Sequence, residues 1–237
     1  MDETGDQHQA QWTWRVLQQI RRAGREQSGR SFRREDGQPN RPRLVNTEQR
    51  GSRHQRVWLS QGGRAPGQLA TWLRAAPIIN TSRFVDFEFG GRRSGNYAAY
   101  ALADQQFVQL APVEGQAARG WYAGVSAMYA PPELNRFSQY YELRLYGIGL
   151  MPSRPKDLVA LVIARNVFSN YLVDAALRRG QLAHTDSLSI TVAYSASIAP
   201  GIQAGIGLGY TDHPTSVVYT PQTGSALNIL ASVTTFW

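Results

Sequence analysis

Glu142 and Arg144 stand two residues apart in YYELRLYG, opposite charges at the spacing that puts both on one face of a strand. Charges of both signs on one wall offer hydrogen bonds without favouring ions of one sign, or they form an ion pair that supports the wall. Three further groups invite the same question. Arg83, Asp86, Arg92 and Arg93 lie in or beside one loop, where they line a mouth or are solvated loop charges. Asp104, Gln105 and Gln106 follow one another at a strand end, and Tyr97, Tyr122 and Tyr146 offer aromatic faces if their strands turn them inward.

Signs of catalysis are sparse. His8, His54, His184 and His213 are scattered in loops or the N-terminal segment, and no two have a metal-ligand spacing. His184 with Asp186 reads as a polar loop. No GxSxG, P-loop or dinucleotide-binding pattern is present, so neither an enzyme nor a cofactor is expected.

The elements that would position these residues are strands. In the closing LNILASVTTFW, Leu227, Ile229, Ala231, Val233, Thr235 and Trp237 share one face, opposite Asn228, Leu230, Ser232, Thr234 and Phe236. SLSITVAYSASI repeats the pattern, with Leu188, Ile190, Val192 and Tyr194 against serines, threonine and alanine. After Pro200-Gly201, GIQAGIGLGYT sets Ile202, Ile206, Leu208 and Tyr210 against Gln203 and three glycines. Runs of about 10–12 residues with one apolar face and one face of small residues suit a membrane-spanning strand better than a soluble one.

Eight such strands are expected, over 69–80, 96–108, 119–130, 140–151, 157–168, 187–198, 201–211 and 226–237. Residues 152–156 and 199–200 make short turns, and 169–186 and 212–225 long loops, the alternation of a transmembrane antiparallel β-barrel. Trp121, Val125, Tyr141, Leu143 and Leu145 should face lipid, and Tyr122, Gly124, Ser126, Met128, Glu142 and Arg144 the interior. Strand 157–168 is apolar on both faces and leaves its register open.

The 237 residues contain no cysteine and no stretch of about 18 apolar residues that would make a transmembrane helix. A mean hydropathy of −0.37 does not exclude a barrel, because alternation hides its apolar face. The net charge of +8 is uneven: residues 1–64 hold 13 Arg against 7 acids, residues 65–237 only 12 basic against 10 acidic. Residues 1–64 therefore read as an Arg/Gln-rich segment, disordered apart from a short helix around QWTWRVLQQIRR, followed by a barrel portion over 65–237. The basic segment could serve as an arm for nucleic acid or anionic surfaces, but no aromatic interleaving accompanies its arginines, and such a partner is not expected. The opening MDETGDQHQ has neither a basic nor an apolar leader region, which for an outer-membrane chain points to a start further upstream, a fragment or a shifted frame.

Three pieces of this chain resemble the carbohydrate-selective porins of the OprB family. They are SGNYAAYALADQQFVQ with Asn96 to Gln106, the Arg119-Gly120 strand start, and the turn Gly149-Leu150-Met151-Pro152-Ser153-Arg154-Pro155-Lys156-Asp157. The resemblance covers roughly 69–237, the C-terminal part of a barrel of about sixteen strands in a family whose members are about twice this long. It implies an outer-membrane protein that passes mono- or oligosaccharides by diffusion, without chemistry, in contact with outer-membrane lipid. A homotrimer is compatible with it. By their places on the expected inner face, strand end and outer loop, Glu142, Arg144, Arg83, Asp86, Arg92, Arg93, Asp104 and Gln106 are the candidate pore-lining residues, with Tyr97, Tyr122 and Tyr146 as stacking steps for sugar rings if they face inward. A non-transporting remnant of a split gene is the alternative.

Overall fold

Alternation with so few breaks produces long strands, and a computed structural model shows them paired in simple succession. It describes residues 67–113, 118–214 and 224–235 in full, and 43–49 and 52–61 as backbone strands. The strands are β1 (Arg43–Gln49), β2 (Ser52–Gln61), β3 (Thr71–Val85), β4 (Arg92–Gln109), β5 (Gly120–Tyr129) and β6 (Phe137–Ile148). Then come β7 (Leu158–Phe168), helix α1 (Asn170–Arg178), β8 (Asp186–Ala199), β9 (Ile202–Asp212) and β10 (Ser225–Thr235). Every strand pairs antiparallel with its neighbours in sequence, giving one sheet of order β1 to β10. Among the described residues, β1 and β10 each pair on one side only.

All eight expected strands are present, within a few residues of their anticipated ends. The sheet also begins earlier than expected: β1 and β2 form a hairpin, with Arg43 opposite Trp58 and Gln49 opposite Ser52, inside the segment that shows no alternation. Its sequence, rich in Arg and Gln, carries no continuous apolar face to betray a strand. The helix expected near residues 11–22 and the terminal Phe236 and Trp237 lie outside the described residues.

One face of the sheet is apolar and exposed. Leu73, Val125, Leu143, Val192, Ile206 and Leu227 all point outward, from 43% exposed at Leu73 to 68% at Leu227. No soluble sheet could leave such a surface in water, whereas a lipid-facing one must. The opposite face is polar or small, and its packing explains the ambiguous strand. Leu158, Ala160, Val162 and Ala164 of β7 turn inward. They must be apolar and mostly small because Tyr146, Arg144 and Glu142 stand opposite them on β6. Tyr122 and Tyr146 pack with Leu158, Ala160 and Ala193, large side chains from β5 and β6 over small ones from β7 and β8.

Connections sort by end. Among the described residues, 110–113, 118–119, 149–157 and 200–201 are at one end, and 86–91, 130–136, 169–185, 213–214 and 224 at the other. Loops of the second end interlock: Phe87 N–H donates to Glu133 O (2.8 Å), Ser169 N–H to Arg136 O (2.8 Å), and the Ser169 hydroxyl to Pro132 O. Helix α1 packs Val173 and Leu172 against Phe168 and Phe137.

Candidate lumen site

Register brings Asp104 of β4, Gly124 of β5 and Arg144 of β6 into one row across the inner face. Arg144 fills the space above the glycine. Its Nη2 lies 3.1 Å and its Nε 3.3 Å from Asp104 Oδ1; Nη1 donates to Glu142 Oε1 and to the Ser126 hydroxyl, and Nη2 to Val125 O (3.3 Å). A Cβ at Gly124 would lie 2.1 Å from Asp104 Oδ1 and 2.8 Å from Arg144 Nη2, so only glycine permits this crossing. Tyrosines complete the cluster: Tyr140 donates to Glu142, and Tyr146 to Asp104 at 3.4 Å. Arg144 is 1% exposed and Asp104 6%, so the cluster is part of the wall's packing. Burial of three charges is tolerable because each is matched by an opposite charge and by hydrogen bonds.

Two neighbours extend the row. Trp72 of β3 stands opposite Asp104. Arg74 lies with its guanidinium 3.9 Å from the Trp72 ring centre, a cation–π contact. In the middle of strands β3 to β10, whose side chains are described, the charged side chains at inward positions are Arg74, Asp104, Glu142 and Arg144, two of each sign.

The other expected residues divide. Tyr122 and Tyr146 do face inward, but their rings stack on each other at 5.0 Å and 6° and are buried, leaving no open face for a solute. Tyr97 points outward and is 55% exposed. Gln106 accepts from Ala70 N–H (3.1 Å) and donates to Arg119 O (2.9 Å), so its amide is committed to backbone. Gln105 accepts from the Thr71 hydroxyl at 2.6 Å. Asp86 holds its own turn, accepting from Glu88 and Phe89 N–H at 3.0 and 3.1 Å. Arg93 reaches Glu133 at 2.9 Å and Asp86 at 3.7 Å, while Arg83 and Arg92 are exposed at the same rim.

Two of the four histidines come together. His184 and His213, from the two longest loops, stack with ring centres 3.8 Å apart. Burial and then the neighbouring His213 hold His184 below the ordinary imidazole range, against the pull of Asp212 and Asp186. No group of three or more metal-ligating side chains exists among the described residues.

The distinctive turn fastens one end of the sheet. Asp157 accepts from Ser197 N–H (2.9 Å), the Tyr194 hydroxyl and Arg154. Burial would raise its carboxyl, yet these hydrogen bonds and the Arg154 charge hold it below the ordinary range. Arg119 donates to Gly149 O (2.7 Å) and Ala111 O (2.7 Å). Gly149, at φ +57°, passes so close to the turn that a Cβ would meet Pro155 O at 2.3 Å. These contacts join the β4–β5 and β6–β7 connections to each other and to the end of β8.

The profile of the carbohydrate-selective porins of the OprB family matches residues 58–226. The chain belongs to the OprB family. Its sheet is similar to that of a solved structure described as the high pH structure of Pseudomonas putida OprB, with a TM-score of 0.61 and 16% identity. That likeness covers 78% of this chain and 48% of the other, so this chain spans about half the length of that OprB protein. No curated protein matches the chain. The family profile begins at Trp58, within β2, in agreement with a sheet that starts before residue 65.

Sequence reasoning missed Gly124, Ser126, Tyr140, Trp72 and Arg74 as parts of the site. Strand parity alone places the first three on the face of Glu142. Their convergence on Arg144 depends on register across β4 to β6, which parity does not supply.

Proposed function

We propose that this chain forms wall strands of an outer-membrane channel through which sugars diffuse passively. One observation carries the reading: β3 to β10 separate an outward apolar face from an inward face whose central charges, Arg74, Asp104, Glu142 and Arg144, cancel. A wall whose charges pair within it presents no net charge that would concentrate one sign of ion, which suits an uncharged solute. Membership in a family of carbohydrate-selective porins supports sugars as the solute. The end bearing the two longest loops faces outward from the cell and the end bearing the fastened turns faces the periplasm, as in other membrane barrels. No covalent step and no cofactor are required.

Liposome swelling tests this. The refolded 237-residue chain should make vesicles permeable to mono- and disaccharides, with slower entry of charged solutes of similar size. Insertion without sugar permeation would overturn transport by this chain and favour a non-transporting wall segment.

A further inference from the structure

The outward face is not uniformly ridged. Between Leu73 on β3 and Leu188 on β8 runs a groove of about 700 Å³, walled also by Val125, Leu143 and Ile163. Its floor is made of alanines: Ala75, Ala101, Ala103 and Ala127 put only methyl groups where neighbouring strands carry branched chains. Arg165 lines one end of the same groove. It is an unexpected residue for a lipid-facing position, since a guanidinium at the bilayer midplane is costly and becomes tolerable only near the interface. Its surroundings put it at that level. Arg165 lies three residues from the end of β7 that leads into the long loops, and Tyr141, opposite it on β6, is 47% exposed on the outer face. Arg165 Nε donates to Asp186 Oδ2 at 2.7 Å, which directs the guanidinium while 55% of the side chain remains exposed.

Taken with the outer-membrane reading, on which it rests, this geometry leads us to infer that the groove is a binding site for a phosphorylated glycolipid of the outer leaflet. One acyl chain lies on the alanine floor, and a phosphate accepts hydrogen bonds from the outer edge of Arg165. The apolar groove supplies contact area that a ridged barrel face lacks, and the guanidinium supplies charge complementarity and a fork that matches phosphate oxygens. Tyr141 flanks the head-group level as interfacial aromatics do.

The test uses the full chain refolded in detergent and native mass spectrometry with bisphosphorylated lipid A, its dephosphorylated form and phosphatidylglycerol. Retained lipid A on the wild type should fall about tenfold on dephosphorylation, the scale of losing a charge-assisted contact, and Arg165→Gln should abolish that difference. Ala127→Leu, which fills the floor, should weaken both forms alike. Equal retention by wild type and Arg165→Gln, or phosphatidylglycerol retained as well as lipid A, would overturn the proposal. So would a self-associated species lost on Ala127→Leu without any lipid dependence. Insertion into vesicles, followed by heat-dependent gel mobility, is measured in parallel. A chain that never inserts overturns the membrane reading itself, whereas insertion without phosphate dependence overturns only the lipid site.

Discussion

Arg144 separates two buried carboxylates that would otherwise face each other across an inner wall. Removing its charge leaves Asp104 and Glu142 without compensation, a situation that costs about 3–5 kcal/mol in buried pairs. Arg144→Met should therefore lower stability by that order, measured by urea unfolding of the chain in lipid vesicles. Adding Asp104→Asn and Glu142→Gln to the same variant should restore much of the loss, because no uncompensated charge remains. Equal losses in the single and triple variants would show that packing of the arginine stem dominates. The pairing of Glu142 with Arg144 was legible from their spacing. Asp104 was legible only as a polar strand-end residue, because its place beside Arg144 is set by two intervening strand registers and a glycine.

At the scale of elements, the turns and loops carry the titratable contacts. Asp157 is held in its charged form, so its contribution to stability is present above the unfolded carboxylate range near pH 4 and is lost as pH falls through its lower folded value. Asp157→Ala should cost about 1–3 kcal/mol near neutral pH, because Ser197 N–H and Arg154 lose their acceptor, and should flatten the acid limb of the stability profile. Unfolding midpoints between pH 3 and 7 check both statements. His184 works in a higher window. Its depressed titration makes the stacked pair stable above the ordinary imidazole range near pH 6.5, and that stability is lost as protons are added. Asp186 and Asp212 face the rings, and Arg165 engages Asp186, so the first imidazolium has carboxylates nearby but a second would abut it. Histidine NMR titrations should show the stack parting below that range, with His184→Phe plus His213→Phe keeping the two loops together at acid pH. The sequence concealed this pair because His184 and His213 are brought together only by the pairing of β8 with β9. It concealed the β7 register for another reason: lipid on one side and large neighbours on the other both select apolar residues.

The whole molecule was the most legible level, since strand length, face alternation and loop asymmetry in residues such as Leu188 to Ile198 already specify a membrane sheet. The hairpin of β1 and β2 lacked that signal, and its polar strands show how far pairing alone can extend a sheet. Every described strand pairs only with its predecessor and its successor, with no crossover in the order β1 to β10. Mechanically, that makes the sheet a zipper. Tension applied at the C-terminal end should peel off one strand or hairpin at a time, giving a series of force peaks spaced by hairpin lengths. Cross-linking the turns through Arg119 and Asp157 positions should merge the peaks on either side of 149–157. A linear order of this kind also means that hairpins can be added to or taken from the array without rewiring what remains, as in repeat proteins whose stability is a sum of neighbour terms.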